Sequence, residues 1–387
     1  LARRVNQGLA PRSTARALSV VRGFFRHLDR GGLAHNPALG AIRTPKQPRN
    51  LPRPLSVDQA AAAVETLFQG AGLDLQKLVR PALSILARRG VQKRLQQARD
   101  GDIARGIHDD DLNDPLLQAL LARTVIANAA VEAILRRLRR LCLMGGGGLI
   151  QRLPGFATAL AQQCFITDYA YDEGAEETAA VGDLSLEAEE LLREGLGGEA
   201  PAEIFVAIAM YRSLGSLAGI EALAAGPELG ALMRQQVTEP AEEAALAASV
   251  GSLAGAGSDA KSAVRQQYEE APYPRWLSTD RKSPVPLAKA MAALFPGKRI
   301  ALAASQEPEV LVAGCGTGKH AIDVAGQYLN AKVTAIDISR ASLGYARRIA
   351  EQENIGNIDF LTADIMSLGP WQRRFDLIES AGVLHHL

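Results

Sequence analysis

A short apolar run ended by three closely spaced glycines constrains this chain more than any other feature. In VLVAGCGTGKH (310–320) the preceding residues Glu309 to Ala313 read as a buried strand, and residues 319–329 carry helical spacing. Gly314, Gly316 and Gly318 between them let the backbone turn tightly and approach a ligand. The next apolar segment, VTAIDIS (333–339), ends on Asp337, 19 residues beyond Gly318. A carboxylate at such a strand end accepts both hydroxyls of a ribose, so the two segments together describe a site for a nucleoside-type cofactor.

The neighbouring residues narrow that ligand. Position 319 is lysine rather than the third glycine of a dinucleotide loop, and no GK[ST] ending makes it a phosphate loop. A dehydrogenase using a dinucleotide is therefore a rival reading that the spacing disfavours. An amphipathic helix follows near 340–353, then a strand at 358–361 (IDFL), the acid Asp364 in LTADIMSL, and a fourth strand at 375–380 (FDLIES) leading into AGVLHHL.

GCGTG, the acidic strand end AIDIS, the ADI after the third strand and FDLIESAGVLHHL resemble, in order and spacing, class I S-adenosylmethionine-dependent methyltransferases over about 310–387. The resemblance implies that Gly314, Cys315, Gly316 and Gly318 face the methionine and ribose portions of S-adenosylmethionine and that Asp337 takes the ribose hydroxyls. It further implies that Asp364 accepts from the adenine amino group, with Ile338 and Ile365 packing on the ring. Many members carry an acid two residues before the first glycine, where this chain has Val312. The same valine, with His320 after the loop, resembles a bacterial subgroup often linked to tetratricopeptide repeats. QQYEEAPYPRW (266–276) is similar to the segment that precedes the cofactor domain there; it offers Tyr268, Tyr273 and Trp276, with Pro272 and Pro274 stiffening the backbone. These aromatic residues are candidates either for an aromatic clasp or for a lid on the substrate side. His385 is a further substrate-side candidate, and with His386 it lacks a third ligand of suitable spacing for a metal.

Charge divides the chain more sharply than its net value of +1 suggests. Residues 1–66 hold 11 basic and 3 acidic side chains, a balance of +8 that leaves −7 for the remainder. A basic terminal module points to nucleic acid, a solvated helical surface being the plainer alternative. Arg12 to Glu65 resembles the end of the helical core-binding domain of bacterial tyrosine recombinases plus the opening of their next domain. The likeness rests on a helix with Leu18, Val21, Phe24, Phe25 and Leu28 on one side, the GLAHNPA turn, and the linker TPKQPRNLPRPLS. It implies phosphate contacts for Arg12, Arg16, Arg22, Arg26 and Lys46 on non-specific duplex DNA. The recombinase cleavage pattern of arginine, lysine, histidine and terminal tyrosine does not follow, so this chain should not cut DNA.

Between these ends, 67–265 is helical by pattern, from LQKLVRPALSILARR to AEEAALAASVGSLAG, with FATALAQQCFITDYAY as one of its helices and no fixed 34-residue period. The region from about 114 to 215 resembles the helical part that precedes the cofactor domain in the same methyltransferase group. LLQALLARTVIANAAVEAILRRL is broken by Arg123 and reads as an amphipathic core helix or pair rather than a membrane span. Cys142, Cys164 and Cys315 form no close pair, which suits a reducing cytoplasm. The expected layout is α plus α/β: a basic module at 1–66, a helical domain at 67–265, and a Rossmann-like methyltransferase domain at 266–387. By resemblance the full sheet has seven strands, so this domain is expected to be truncated and its last strand to present an open edge. The expected reaction is methyl transfer from S-adenosylmethionine to an unknown acceptor; the alternative is a DNA-binding module without cleavage chemistry.

Overall fold

The computed structural model describes residues 11–32, 55–70, 72–91, 108–196, 201–223, 226–253, 274–280, 282–298 and 307–384, without the side chains at 11–17, 19, 227 and 228. The chain divides into two compact units, residues 1–56 and 57–387. In the first, α1 (Pro11–Arg30) is amphipathic. Leu18 is buried and Phe25 and Leu28 are half-buried, whereas Val21 and Phe24 lie open to solvent, with Phe24 and Phe25 in an edge-to-face pair.

The second unit starts with α2 (Val57–Gln69), one continuous helix through the position where the sequence reading ends its basic module. It packs on α3 (Val79–Arg88) and α4 (Pro115–Arg123) through Ala61, Val64 and Phe68, so by its contacts it belongs with the helices that follow it. The long apolar run around Arg123 is a pair of helices, α4 and α5 (Ala129–Met144). Each start has a local cause. Asp114 accepts from the Leu116 N–H at 2.9 Å ahead of Pro115, and Asn128 accepts from the Val131 N–H at 3.1 Å. Next come α6 (Pro154–Ile166), apolar on all sides and buried at the centre of the bundle, α7 (Ala175–Arg193) and α8 (Ala202–Ala209).

Two expected helices end early. α6 stops at Ile166 because Asp168 and Tyr169 both take φ of 54°, the left-handed region, and the Tyr169 N–H closes the last turn on the Cys164 carbonyl at 2.8 Å. In AEEAALAASVGSLAG the helix is α9 (Glu239–Ser249); Val250 turns extended and Gly251–Ser252 forms strand β1.

That strand belongs to the sheet and not to the helical bundle. β2 (Glu309–Ala313), β3 (Lys332–Asp337), β4 (Ile358–Thr362) and β5 (Leu377–Glu379) complete a five-stranded parallel sheet in the order β1-β4-β3-β2-β5. β2 aligns Val312 with Ala335 of β3 on one side and with Glu379 of β5 on the other. Alternation splits the strands between two cores: Val310 and Val312 meet α10 (Leu287–Leu294) and α11 (Lys319–Gln327), while Leu311, Ala313 and Ile336 meet Leu253, Leu368 and Trp371. β5 is an edge of the described sheet, with Ile378 exposed.

α9 packs against α12 (Arg340–Gln352), the helix after β3, so the end of the expected helical domain is docked on the α/β layer. Gly344 permits the crossing: a Cβ there would lie 2.3 Å from the Glu243 carbonyl oxygen. The buried Arg348 seals it, donating through Nε to Glu243 at 2.9 Å.

Candidate functional site

The loop after β2 takes its shape from three glycines that answer to different demands. Gly314, Gly316 and Gly318 all have positive φ, of 73°, 53° and 84°. A Cβ on Gly314 would stand 2.5 Å from the Val383 side chain, and one on Gly318 would stand 2.4 Å from the Ala346 Cβ of α12. These two are required by the protein's own packing. At Gly316 nothing lies within 4 Å, so there the loop faces open space.

The acid at the end of β3 reaches this loop. The Gly316 N–H donates to Asp337 Oδ2 at 2.7 Å and the Ser339 N–H donates to Asp337 Oδ1 at 3.0 Å. The Gly314 and Cys315 amides donate to the Ile336 carbonyl at 2.8 and 3.0 Å, which fixes loop and strand end as one piece. Cys315 is buried, and burial, reinforced by the nearby Asp337 charge, pushes its thiol far above the ordinary range, which suits packing rather than nucleophilic chemistry. Beyond β4, Asp364 caps the short 3-10 turn Ile365–Ser367, accepting from the Met366 N–H at 2.8 Å. Ile338 and Ile365 are half-buried, the latter against the core formed by Leu311, Ala313 and Ile336. The structure thus gathers Gly314, Cys315, Gly316, Gly318, Asp337 and Ile338 at adjoining strand ends, with Asp364 and Ile365 at the end of the next strand.

Trp276 is buried against α12. Its Nε1 donates to the Thr317 carbonyl at 2.9 Å, its own carbonyl accepts from the Tyr345 hydroxyl, and the two rings meet edge to face. That is the geometry of a clasp on the loop. Tyr268, Tyr273 and His385 lie outside the described residues.

Sequence reasoning missed three participants. Thr317 is buried and donates its hydroxyl to the Pro274 carbonyl at 2.8 Å. Lys319, at the position where a dinucleotide loop has glycine, reaches the Ser278 carbonyl at 3.1 Å and Asp74 at 3.2 Å. His320 Nε2 stands 2.8 Å from Glu379 Oε2 of β5, and Tyr328 donates to Glu379 Oε1 at 2.9 Å. Glu379 raises the His320 pKa, and His320 in turn holds the Glu379 carboxyl below its usual range. The signals available were Lys319, read only as the residue that breaks a dinucleotide loop, and His320, read only as a mark of the subgroup resemblance.

A groove of about 360 Å³ between α9 and the start of α12 is lined by Glu243, Ala247, Arg275 and Arg340 among others. None of its lining residues comes from the glycine loop, so it is a separate feature. Among the described residues no group of His, Cys, Asp and Glu could hold a metal ion, and no helix is long and apolar enough to cross a membrane.

In the first unit, helical periodicity places positions 12, 16, 22 and 26 of α1 within an arc of about 120°, opposite Val21, Phe24 and Leu28. Arg26 is exposed and donates through Nε to the Arg22 carbonyl at 3.3 Å; Arg22 is half-buried. The Arg12 and Arg16 side chains and Lys46 lie outside the described residues.

Comparison with known proteins finds likeness at both ends of the chain. Residues 310–387 match the family model described as a methyltransferase domain. The N-terminal part is similar to proteins named tyrosine recombinase XerC. Identity is 48% over 65 residues for that of Rhodospirillum centenum, 17% of this chain and 19% of the relative. It is 48% over 68 residues for that of Chromohalobacter salexigens, 17% and 22%. For that of Brucella suis it is 35% over 96 residues, 20% and 30%. The chain therefore spans about a fifth to a third of the length of these relatives.

Proposed function

We propose that the α/β domain binds S-adenosylmethionine and serves methyl transfer. The observation that carries this is the Asp337 carboxylate at the end of β3, beside a glycine loop whose Gly316 has open space before it. The methyltransferase-domain match over these same residues supports it. The donor set fits a nucleoside: Asp337 for the ribose hydroxyls, Asp364 for the adenine amino group, Ile338 and Ile365 for the faces of the ring. S-adenosylmethionine, when bound, supplies a methyl carbon attached to a good leaving group. The chain's own part is then to bind, orient and exclude water, and no general base is required unless the acceptor must first lose a proton. Calorimetry with S-adenosylhomocysteine tests the reading. One-to-one uptake that NAD does not displace supports it; uptake of NAD in preference would overturn it.

A second reading concerns α1. We infer that the basic side of this helix binds duplex DNA without sequence preference, supported by its similarity to recombinases and by the arginine arc opposite the apolar one. Anisotropy titrations at rising salt test it, since phosphate binding must weaken steeply with salt.

A further inference from the structure

We propose that residues 274–280 form a positioning strap through which the helical domain sets the geometry of the glycine loop, with Trp276 as its central positioning residue. On the loop side, Thr317 is held from two directions: its hydroxyl donates to the Pro274 carbonyl at 2.8 Å and its carbonyl accepts from Trp276 Nε1 at 2.9 Å. Thr317 lies between Gly316 and Gly318, so these bonds immobilise the stretch that Asp337 grips from the other side. Further along, Thr279 donates to Asp323 of α11.

The other side of the strap is held by the helical domain. The Leu75 N–H donates to Ser278 Oγ at 2.9 Å and the Asp74 N–H donates to Asp280 Oδ1 at 2.9 Å, while Lys77 pairs with Asp280. Lys319 closes the circuit from the first turn of α11. Its ammonium reaches the Ser278 carbonyl at 3.1 Å and Asp74 Oδ2 at 3.2 Å, and lies 5.3 Å from the centre of the Trp276 ring. Residues more than 200 positions apart in the chain thus meet across one extended segment. Such a segment has few backbone partners of its own, so its shape depends on what holds it at both sides. The loop is consequently ordered only while the helical domain stays attached, and ligand affinity at the loop reports on the state of that domain.

The test compares the full chain with two variants, Ser278→Ala/Asp280→Ala, which cuts the strap from the helical domain, and Trp276→Phe, which keeps a ring but loses the N–H donor. Amide hydrogen exchange without ligand should rise by about tenfold or more at Gly316 and Gly318 in both variants, with the β3 and α6 amides unchanged. Loop exchange equal to wild type in both variants overturns the proposal, and so does a uniform rise across the chain, which would mean lost stability rather than lost positioning. A second arm rests on the methyl-donor reading: S-adenosylhomocysteine affinity should fall by about tenfold in each variant. If wild type takes up no S-adenosylhomocysteine, that reading fails, while the exchange arm still decides on the strap.

Discussion

One end of the chain matches a methyltransferase-domain model and the other is similar to part of tyrosine recombinases, and the two ends differ in how their candidate functional residues are distributed. In the α/β domain the residues that would contact a cofactor fall within one strand–helix–strand unit and its continuation, and close contacts hold the loop to the strand end: Gly316 bonds Asp337, and Gly314 and Cys315 bond the Ile336 carbonyl. On α1 the basic residues repeat along one side of a helix, and the bond from Arg26 to the Arg22 carbonyl is local. A cleavage site assembled from distant segments is not covered by a match to a fifth of a recombinase, which is why that similarity carries only the prospect of DNA affinity. The same difference implies that substitutions in the loop should cost stability and binding together, and substitutions on the helix should alter binding alone.

The most severe challenge to that contrast is Gly318→Ala. The added Cβ would meet Ala346 at 2.4 Å in a backbone of φ 84°, and the expected loss is about 2–4 kcal/mol of folding free energy, read by denaturant unfolding. A loss within experimental error would show that the loop is not interlocked. Next is Asp337→Ala, which should weaken S-adenosylhomocysteine binding by about 2–3 kcal/mol, a factor of roughly 30–150. Because Asp337 also holds the Gly316 and Ser339 amides, the melting temperature should drop as well; equal affinities would remove Asp337 from the site.

On α1, Arg22→Gln with Arg26→Gln should leave the melting temperature unchanged while reducing the slope of log affinity against log salt by about 2, one unit for each phosphate contact. A salt slope that stays at its wild-type value would leave only a solvated helix.

The smallest effect is the His320–Glu379 pair at β5. His320, raised above its ordinary 6.5, contributes stability that is complete below 6.5 and fades as pH climbs through its folded value. Glu379, lowered below its ordinary 4.5, contributes stability that is complete above 4.5 and fades as pH drops through its folded value. The pair is therefore strongest between 4.5 and 6.5, and Glu379→Gln should bring the His320 titration, followed by NMR, back toward 6.5. An unshifted titration would break the assignment.

Much of the α/β layer was legible because its signals are local. Glu309–Ala313 forms as the strand expected from an apolar run ending in glycine, and α12 starts at Arg340 because Ser339 caps it, accepting from the Ser342 N–H at 3.1 Å. The misses have two causes, one remote and one local. The helix expected to run through Val250 gives way to β1 because Gly251 and Ser252 pair with Leu361 and Thr362, more than a hundred residues later. The extension of α6 through Tyr169 failed on two left-handed residues that no glycine announced.

The sequence by itself determined the order of strands β2 to β5, the tight loop and the acid placed to face it, since alternation, glycine and strand length act over a few residues. Only the tertiary structure decided which glycine stays open, that α9 and β1 leave the helical bundle for the sheet, and that Trp276 and Lys319 tie the loop to Ser278 and Asp74. Those outcomes depend on close approach and hydrogen-bond partners supplied from remote parts of the chain, and a residue's own neighbours in sequence hold no record of where its partner will come from.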